Sequence, residues 1–194
     1  VATGKVLKRF EHDDEVYAVG FSADGRLLCT GSLDRSRIFD VATGRELKRF
    51  RHNDRVTCVG ISADGSLLCT SGWDWTARIF EVATGKELKR FQHDGEALSA
   101  RFSVDIRFLC TGSEDRAARI FEVASGTQLK RLEHDALVRA AGFSGDGRLL
   151  CTGSADWTAR IFKVADGKEF KRFKHDDWVQ SVDFSGDGRL LCTG

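Results

Sequence analysis

The side chains with the most chemical capability in this chain are a histidine, a threonine and an aspartate that return together. Histidines stand at His12, His52, His93, His134 and His175. Behind the first four come Thr30 and Asp34, Thr70 and Asp74, Thr111 and Asp115, and Thr152 and Asp156. A hydroxyl, an imidazole and a carboxylate in mutual reach can perform acyl transfer, the hydroxyl attacking while the imidazole takes its proton. Repetition argues against that use. An active site needs the set once, and the same set at the same place in four units suits structure better, so no enzyme is expected. The histidines also lack a second ligand at HxxxH or CxxC spacing, and neither metal nor cofactor is expected. Five cysteines, Cys29, Cys69, Cys110, Cys151 and Cys192, keep the histidines' step among apolar neighbours, and Cys58 stands apart. They read as buried free thiols, which points to a reducing compartment and a cytoplasmic location.

The elements that position these residues repeat every 40 or 41 positions, with units starting at Val1, Val41, Val82, Val123 and Val164. A period near 40 marks a solenoid, an array or a propeller. Each unit holds four short segments rich in Val, Leu, Ile, Phe and Thr, of the types LKRF, VYAVGFS, RLLCTGS and TARIF, with turn signals between them. Asp-Gly pairs at 24–25, 64–65, 146–147 and 187–188 suit tight hairpins with positive φ. No segment keeps a 3.6-residue apolar period, so helices are not expected. The prediction is all-β: a single domain over 1–194, a β-propeller of four-stranded antiparallel blades with four complete units and a partial fifth. Hydrophobic residues at 41% and charged residues at 30% fit a globular chain, and no apolar run approaches the ~18 residues of a membrane span. A net charge of +1 gives no global reason to expect nucleic acid or membrane as a partner. The chain opens at Val1 without Met and stops at Gly194 inside a unit, so we expect it either to continue in a longer propeller or to close its ring by self-association with another chain.

The unit resembles the WD repeat. The likeness rests on the His before the first strand, the FSADG turn, LLCTGSxD, and RIFD or RIFE where the family has Trp-Asp. It implies a propeller fold and a scaffolding role. It also implies a buried hydrogen-bond chain in each blade, running His12–Asp34 with Thr30, His52–Asp74 with Thr70, His93–Asp115 with Thr111 and His134–Asp156 with Thr152. The chain departs from the family in two ways. The Gly before each His is replaced by Glu11, Arg51, Gln92, Glu133 and Lys174, and the Trp on the third strand by Phe39, Phe80, Phe121 and Phe162. Phe offers no N–H, so each chain loses a link worth about 1 kcal/mol. Family blades take their outer strand from the next unit, so Val6–Phe10 is expected to be an outer strand in need of a partner.

Variation between units points to one end of the blades. The SADG and VATGK turns barely change, while the loops after His and around the Asp change most. The variable loops hold Trp73, Trp75, Trp157 and Trp178, with Asp13, Asp14, Glu15, Arg55, Glu96 and Leu137 beside them. We expect these ten residues to form a partner-binding face. Its acids and aromatics suit a basic peptide segment through charge pairing and cation–π contact. The Lys-Arg pairs of the LKRF strands, such as Lys48 and Arg49, read as charged outer edges that block strand pairing. The function expected is non-enzymatic recognition of a protein partner. The alternative is a structural, self-assembling repeat chain, engineered or recently amplified, without an evolved ligand. Two local features are expected to stand out. Ile106, where other units have Gly, should distort its hairpin or change its turn type. The first unit, one residue short near Ser36, should have a shorter loop between its second and third strands.

Overall fold

Segments of four to six β-branched, aromatic and aliphatic residues between tight turns are too short for helices and the right length for strands. The computed structural model describes residues 5–194, so Val1, the expected start of the first unit, lies outside it. Its elements are all strands. The first blade is β1 (Ala18–Phe21), β2 (Leu27–Gly31), β3 (Arg35–Asp40) and β4 (Glu46–Arg51). The second is β5 (Val56–Ile61), β6 (Leu67–Gly72), β7 (Thr76–Glu81) and β8 (Glu87–Gln92). The third is β9 (Ala97–Phe102), β10 (Phe108–Ser113), β11 (Ala117–Glu122) and β12 (Gln128–Glu133). The fourth is β13 (Val138–Phe143), β14 (Leu149–Ser154), β15 (Thr158–Lys163) and β16 (Glu169–Lys174). A two-stranded sheet, β17 (Val182–Phe184) and β18 (Leu191–Thr193), follows. Every pairing is antiparallel, and each blade's outer strand comes from the next sequence unit.

The inner strands β1, β5, β9, β13 and β17 stand side by side in that order. The row curves, because Arg101 on β9 reaches past β13 to Asp183 on β17 at 3.4 Å. The core lies between blades. Cys29 and Ile38 of the first pack with Val59 and Leu68 of the second, and Cys110 and Ile120 of the third with Ala141 and Leu150 of the fourth. The phenyl rings that replace the family's Trp are buried there. Each meets its blade's imidazole edge-on, from 5.6 Å for His12–Phe39 to 6.2 Å for His93–Phe121. Aromatic packing thus occupies the place of the lost N–H bond.

Val6–Phe10 is not a strand. Strand geometry needs a ladder partner for its N–H and C=O groups, and none lies beside this segment among the described residues. Phe10 rests on Phe39 at 5.1 Å, and the Lys8 ammonium donates to the Ala42 carbonyl.

The hairpin between β9 and β10 differs from expectation. Ile106 takes φ 61°, and its amide donates to Ser103 O as Gly25 donates to Ser22 O and Gly147 to Ser144 O. The turn is therefore neither distorted nor of another type. Asp105 accepts the Ser103 hydroxyl and the Arg107 amide, and this bonding holds Ile106 in the left-handed region. The loop between β2 and β3 is shorter, as expected. Four residues separate the last paired positions, Gly31 and Ser36, where five separate Ser71 and Ala77.

Candidate functional site

The loops between second and third strands meet those that lead into the inner strands. Trp73 N donates to Arg55 O, Glu114 N to Glu96 O, and Ala155 N to Leu137 O. These bonds tie the two variable positions of the second, third and fourth blades together at one end of the molecule. In the second, third and fourth blades the residue after the Asp takes positive φ, 61° at Trp75 and 65° at Arg116 and Trp157. Its carbonyl accepts the amide of His93, His134 or His175 on the outer side. One loop therefore sends Trp73 toward the inner strands and Trp75 toward the outer one.

The inner side encloses a cleft of about 460 Å³. Arg55, Trp73, Glu96 and Leu137 of the expected face line it, with Tyr17, Glu114 and Arg139. The Arg55 guanidinium lies between two rings, 4.2 Å from Tyr17 and 4.0 Å from Trp73. Arg139 lies 4.8 Å from the Trp178 ring. Glu15 accepts the Tyr17 hydroxyl. Burial raises the pKa of Glu96, the Glu114 and Asp54 carboxylates raise it further, and Arg55 opposes them. Trp75, Trp157, Asp13 and Asp14 do not line the cleft. All four tryptophans are substantially exposed, Trp75 and Trp157 by about half. Tyr17 and Arg139 were not anticipated. They occupy equivalent positions of their units, Arg139 on β13 and Tyr17 just before β1, and in the sequence both read as sheet residues rather than as walls.

The repeated histidines and aspartates serve a different centre, built around an arginine that the sequence reading passed over. Arg78, Arg119 and Arg160 sit in the TARIF-type strands and are buried. Arg119 holds Asp115 through two bonds, Nη1 to Oδ1 at 3.0 Å and Nη2 to Oδ2 at 2.7 Å. Arg78 and Arg160 bond Asp74 and Asp156 in the same way of pairing four residues on. The imidazole is a third member rather than the main partner. His52 Nδ1 is 3.8 Å from Asp74 and His93 Nδ1 3.9 Å from Asp115, beyond hydrogen-bond distance. His93 Nδ1 instead accepts from Arg119 Nη1 at 2.7 Å. In the fourth blade His134 Nδ1 donates to Asp156 at 3.2 Å, and the Thr152 hydroxyl donates to Nε2 at 3.0 Å. Thr70 and Thr111 have no side-chain hydrogen-bond partner among the described residues.

The first unit departs from this scheme. Its missing residue puts Arg37 three positions after Asp34 rather than four, and the strand no longer presents the two together. Asp34 bonds Arg35 instead and its side chain is 51% exposed, against 4% for Asp74. Arg37 turns to Asp13 at 2.7 Å. His12 Nδ1 and the Thr30 hydroxyl are left without partners, so the chain expected over His12, Thr30 and Asp34 does not form.

Burial lowers the histidine pKa values. The Arg119 and Arg160 charges add to this, and His93 and His134 fall to about 4. Burial alone would raise the pKa of Asp115, but its bonds from Arg119 and the Asp94 amide hold it below the usual carboxylate value. Burial pushes the Cys29 and Cys151 thiols up to about 12, which leaves them unreactive, and all six cysteines are free. Among the described residues no group of three or more His, Cys, Asp or Glu is placed to hold a metal ion.

Blades of this order, with the outer strand borrowed from the next unit, define a class of protein that the sequence also carries in every unit. The WD domain, G-beta repeat, matches residues 4–36, 44–81, 85–122, 126–163 and 167–194, and the chain belongs to the WD-repeat family. No curated protein matches it. WD repeats are in general protein-interaction and scaffold modules and are generally non-enzymatic.

Proposed function

We propose that this chain recognises a basic segment of a partner protein in the cleft lined by Arg55, Trp73, Glu96, Glu114 and Leu137. The observation that carries this reading is how the cleft's charges are arranged: its two arginines, Arg55 and Arg139, both lie over aromatic rings, and Glu96 and Glu114 stand beside each other. Glu96 is half-buried, and burial first, then the neighbouring Glu114 and Asp54 carboxylates, raise its pKa against the opposing charge of Arg55. Arg55, the nearest cation, is held flat between Tyr17 and Trp73. An incoming lysine or arginine side chain relieves the repulsion between the carboxylates and finds the Trp73 ring for cation–π contact. Trp178 extends the face through Arg139, and Trp75 and Trp157 flank it on the outer arms of the same loops.

The test is fluorescence anisotropy with a labelled peptide of alternating Lys and Ala. Trp73→Ala, and Glu96→Gln combined with Glu114→Gln, should each weaken binding by more than about 1 kcal/mol and leave the unfolding curve unchanged. Higher salt should slow association. Undiminished binding in both variants, or loss of binding that follows the folded fraction, would count against the reading.

A further inference from the structure

A second cavity, of about 800 Å³, opens between the third and fourth blades at the end opposite the tryptophans. Its apolar lining is Phe108, Leu149, Val164 and Leu129. Leu129 is there because the ladder between β11 and β12 slips. Ile120 pairs Lys130 and Phe121 pairs Gln128, so Leu129 between them has no partner and stands exposed.

Around this lining stand Arg107, Lys130, Arg148 and Lys163. The other blades supply an internal comparison. At the same positions between the second and third blades the chain has Ser66, Lys89, Arg107 and Glu122. Between the first and second it has Arg26, Lys48, Ser66 and Glu81. Of these three grooves, only the one between third and fourth blades is basic at all four. Two positions make the difference: each of the other grooves holds Ser66 at one of them, and Glu81 or Glu122 stands where Lys163 does. Lys8 and Lys89 donate to the carbonyls of Ala42 and Ser125, whereas Lys130, like Lys48, makes no such bond among the described residues. Two acids lie near. Asp146 accepts the Ser144 hydroxyl and the Arg148 amide and lies 3.9 Å from the Arg148 guanidinium, and Asp166 accepts the Lys168 amide, so the four cations outnumber the acids beside them.

The geometry points to a second docking site, distinct from the cleft, that takes an acidic amphipathic peptide segment. Its apolar side chains enter between the blades and its carboxylates meet Arg107, Lys130, Arg148 and Lys163. Apolar lining with a one-sign rim gives both contact area and charge complementarity.

The probe is a fluorescein-labelled, end-blocked peptide of about twelve residues that alternates Leu and Asp. The full chain should bind it saturably. Lys163→Glu should weaken binding at least tenfold, and its fold is safe because three other blades carry an acid there. Leu129→Ser should weaken it as well, and Trp73→Ala should leave it unchanged. Three results would overturn the site: equal affinity for a peptide of Asp and Ser alone, full competition by inorganic polyphosphate, or binding indifferent to Lys163→Glu. The first two would mark a general polyanion surface rather than a peptide groove.

Discussion

Arginine 119 shows how one side chain can organise a blade. Arg119 and Asp115 are both almost fully enclosed, and their side chains meet in a two-bond fork. Removing one partner of a buried pair strands the other charge. We predict that Arg119→Ala costs about 3–5 kcal/mol in urea unfolding. Arg37→Ala should cost about 1 kcal/mol or less, because its partner Asp13 is 72% exposed and returns to water. The histidines give a pH signature. His93 and His134 have folded pKa values of about 4, below the unfolded 6.5. The unfolded chain therefore binds more protons between these values. Their contribution is fully present above pH 6.5 and is lost as pH falls toward 4, on the order of 3 kcal/mol each. The lowered pKa of Asp115 and Asp156 acts in the same direction at still lower pH, above which their contribution is present. Chemical denaturation at pH 7 and pH 4.5 checks this, and equal stability at both would contradict it. The recurrence of His and Asp was plain in the sequence. Their arginine partner was not, because arginine in a strand of a surface-charged protein reads as exposed until the packing is known.

At the scale of elements, turn chemistry decides what could be read. Asp-Gly located the hairpins, and each of Gly25, Gly65, Gly147 and Gly188 takes positive φ. Ile106 shows that side-chain bonding can impose the same backbone on a β-branched residue, at a cost. A side chain at Gly25, Gly65 or Gly147 would meet nothing, so the strain at Ile106 is in the backbone alone. Ile106→Gly should stabilise the chain by about 1 kcal/mol, read as a higher Tm. A lower Tm would mean that Ile106 contributes packing that outweighs its strain. The positive φ of Trp75, Arg116 and Trp157 was not legible, since nothing about these residue types requests it. It follows from the tight path between the Asp and the next strand. The slipped pairing beside Phe39, Phe80, Phe121 and Phe162 was equally hidden, yet it sets the exposure of Leu47, Leu88 and Leu129.

For the whole molecule, repetition carried the fold, since one unit's strands predict all the others and their order around a common line. The two ends of the blades were separable from sequence because one set of turns is nearly constant and the other is not. Which loop residues face inward was beyond reach. Trp73 and Trp75 are two positions apart, and only the bonds of Trp73 to Arg55 and of Trp75 to His93 divide them between cleft and rim. Recognition in that cleft can be followed through the four tryptophan indole N–H signals of nitrogen-15-labelled protein, titrated with the Lys-Ala peptide. Assignment by single Trp→Phe variants identifies each signal. For binding in the cleft, Trp73 should shift most and saturate with Trp178, while Trp75 and Trp157 move little. A saturating shift confined to Trp75 and Trp157, or binding that leaves all four indoles unmoved, would contradict it.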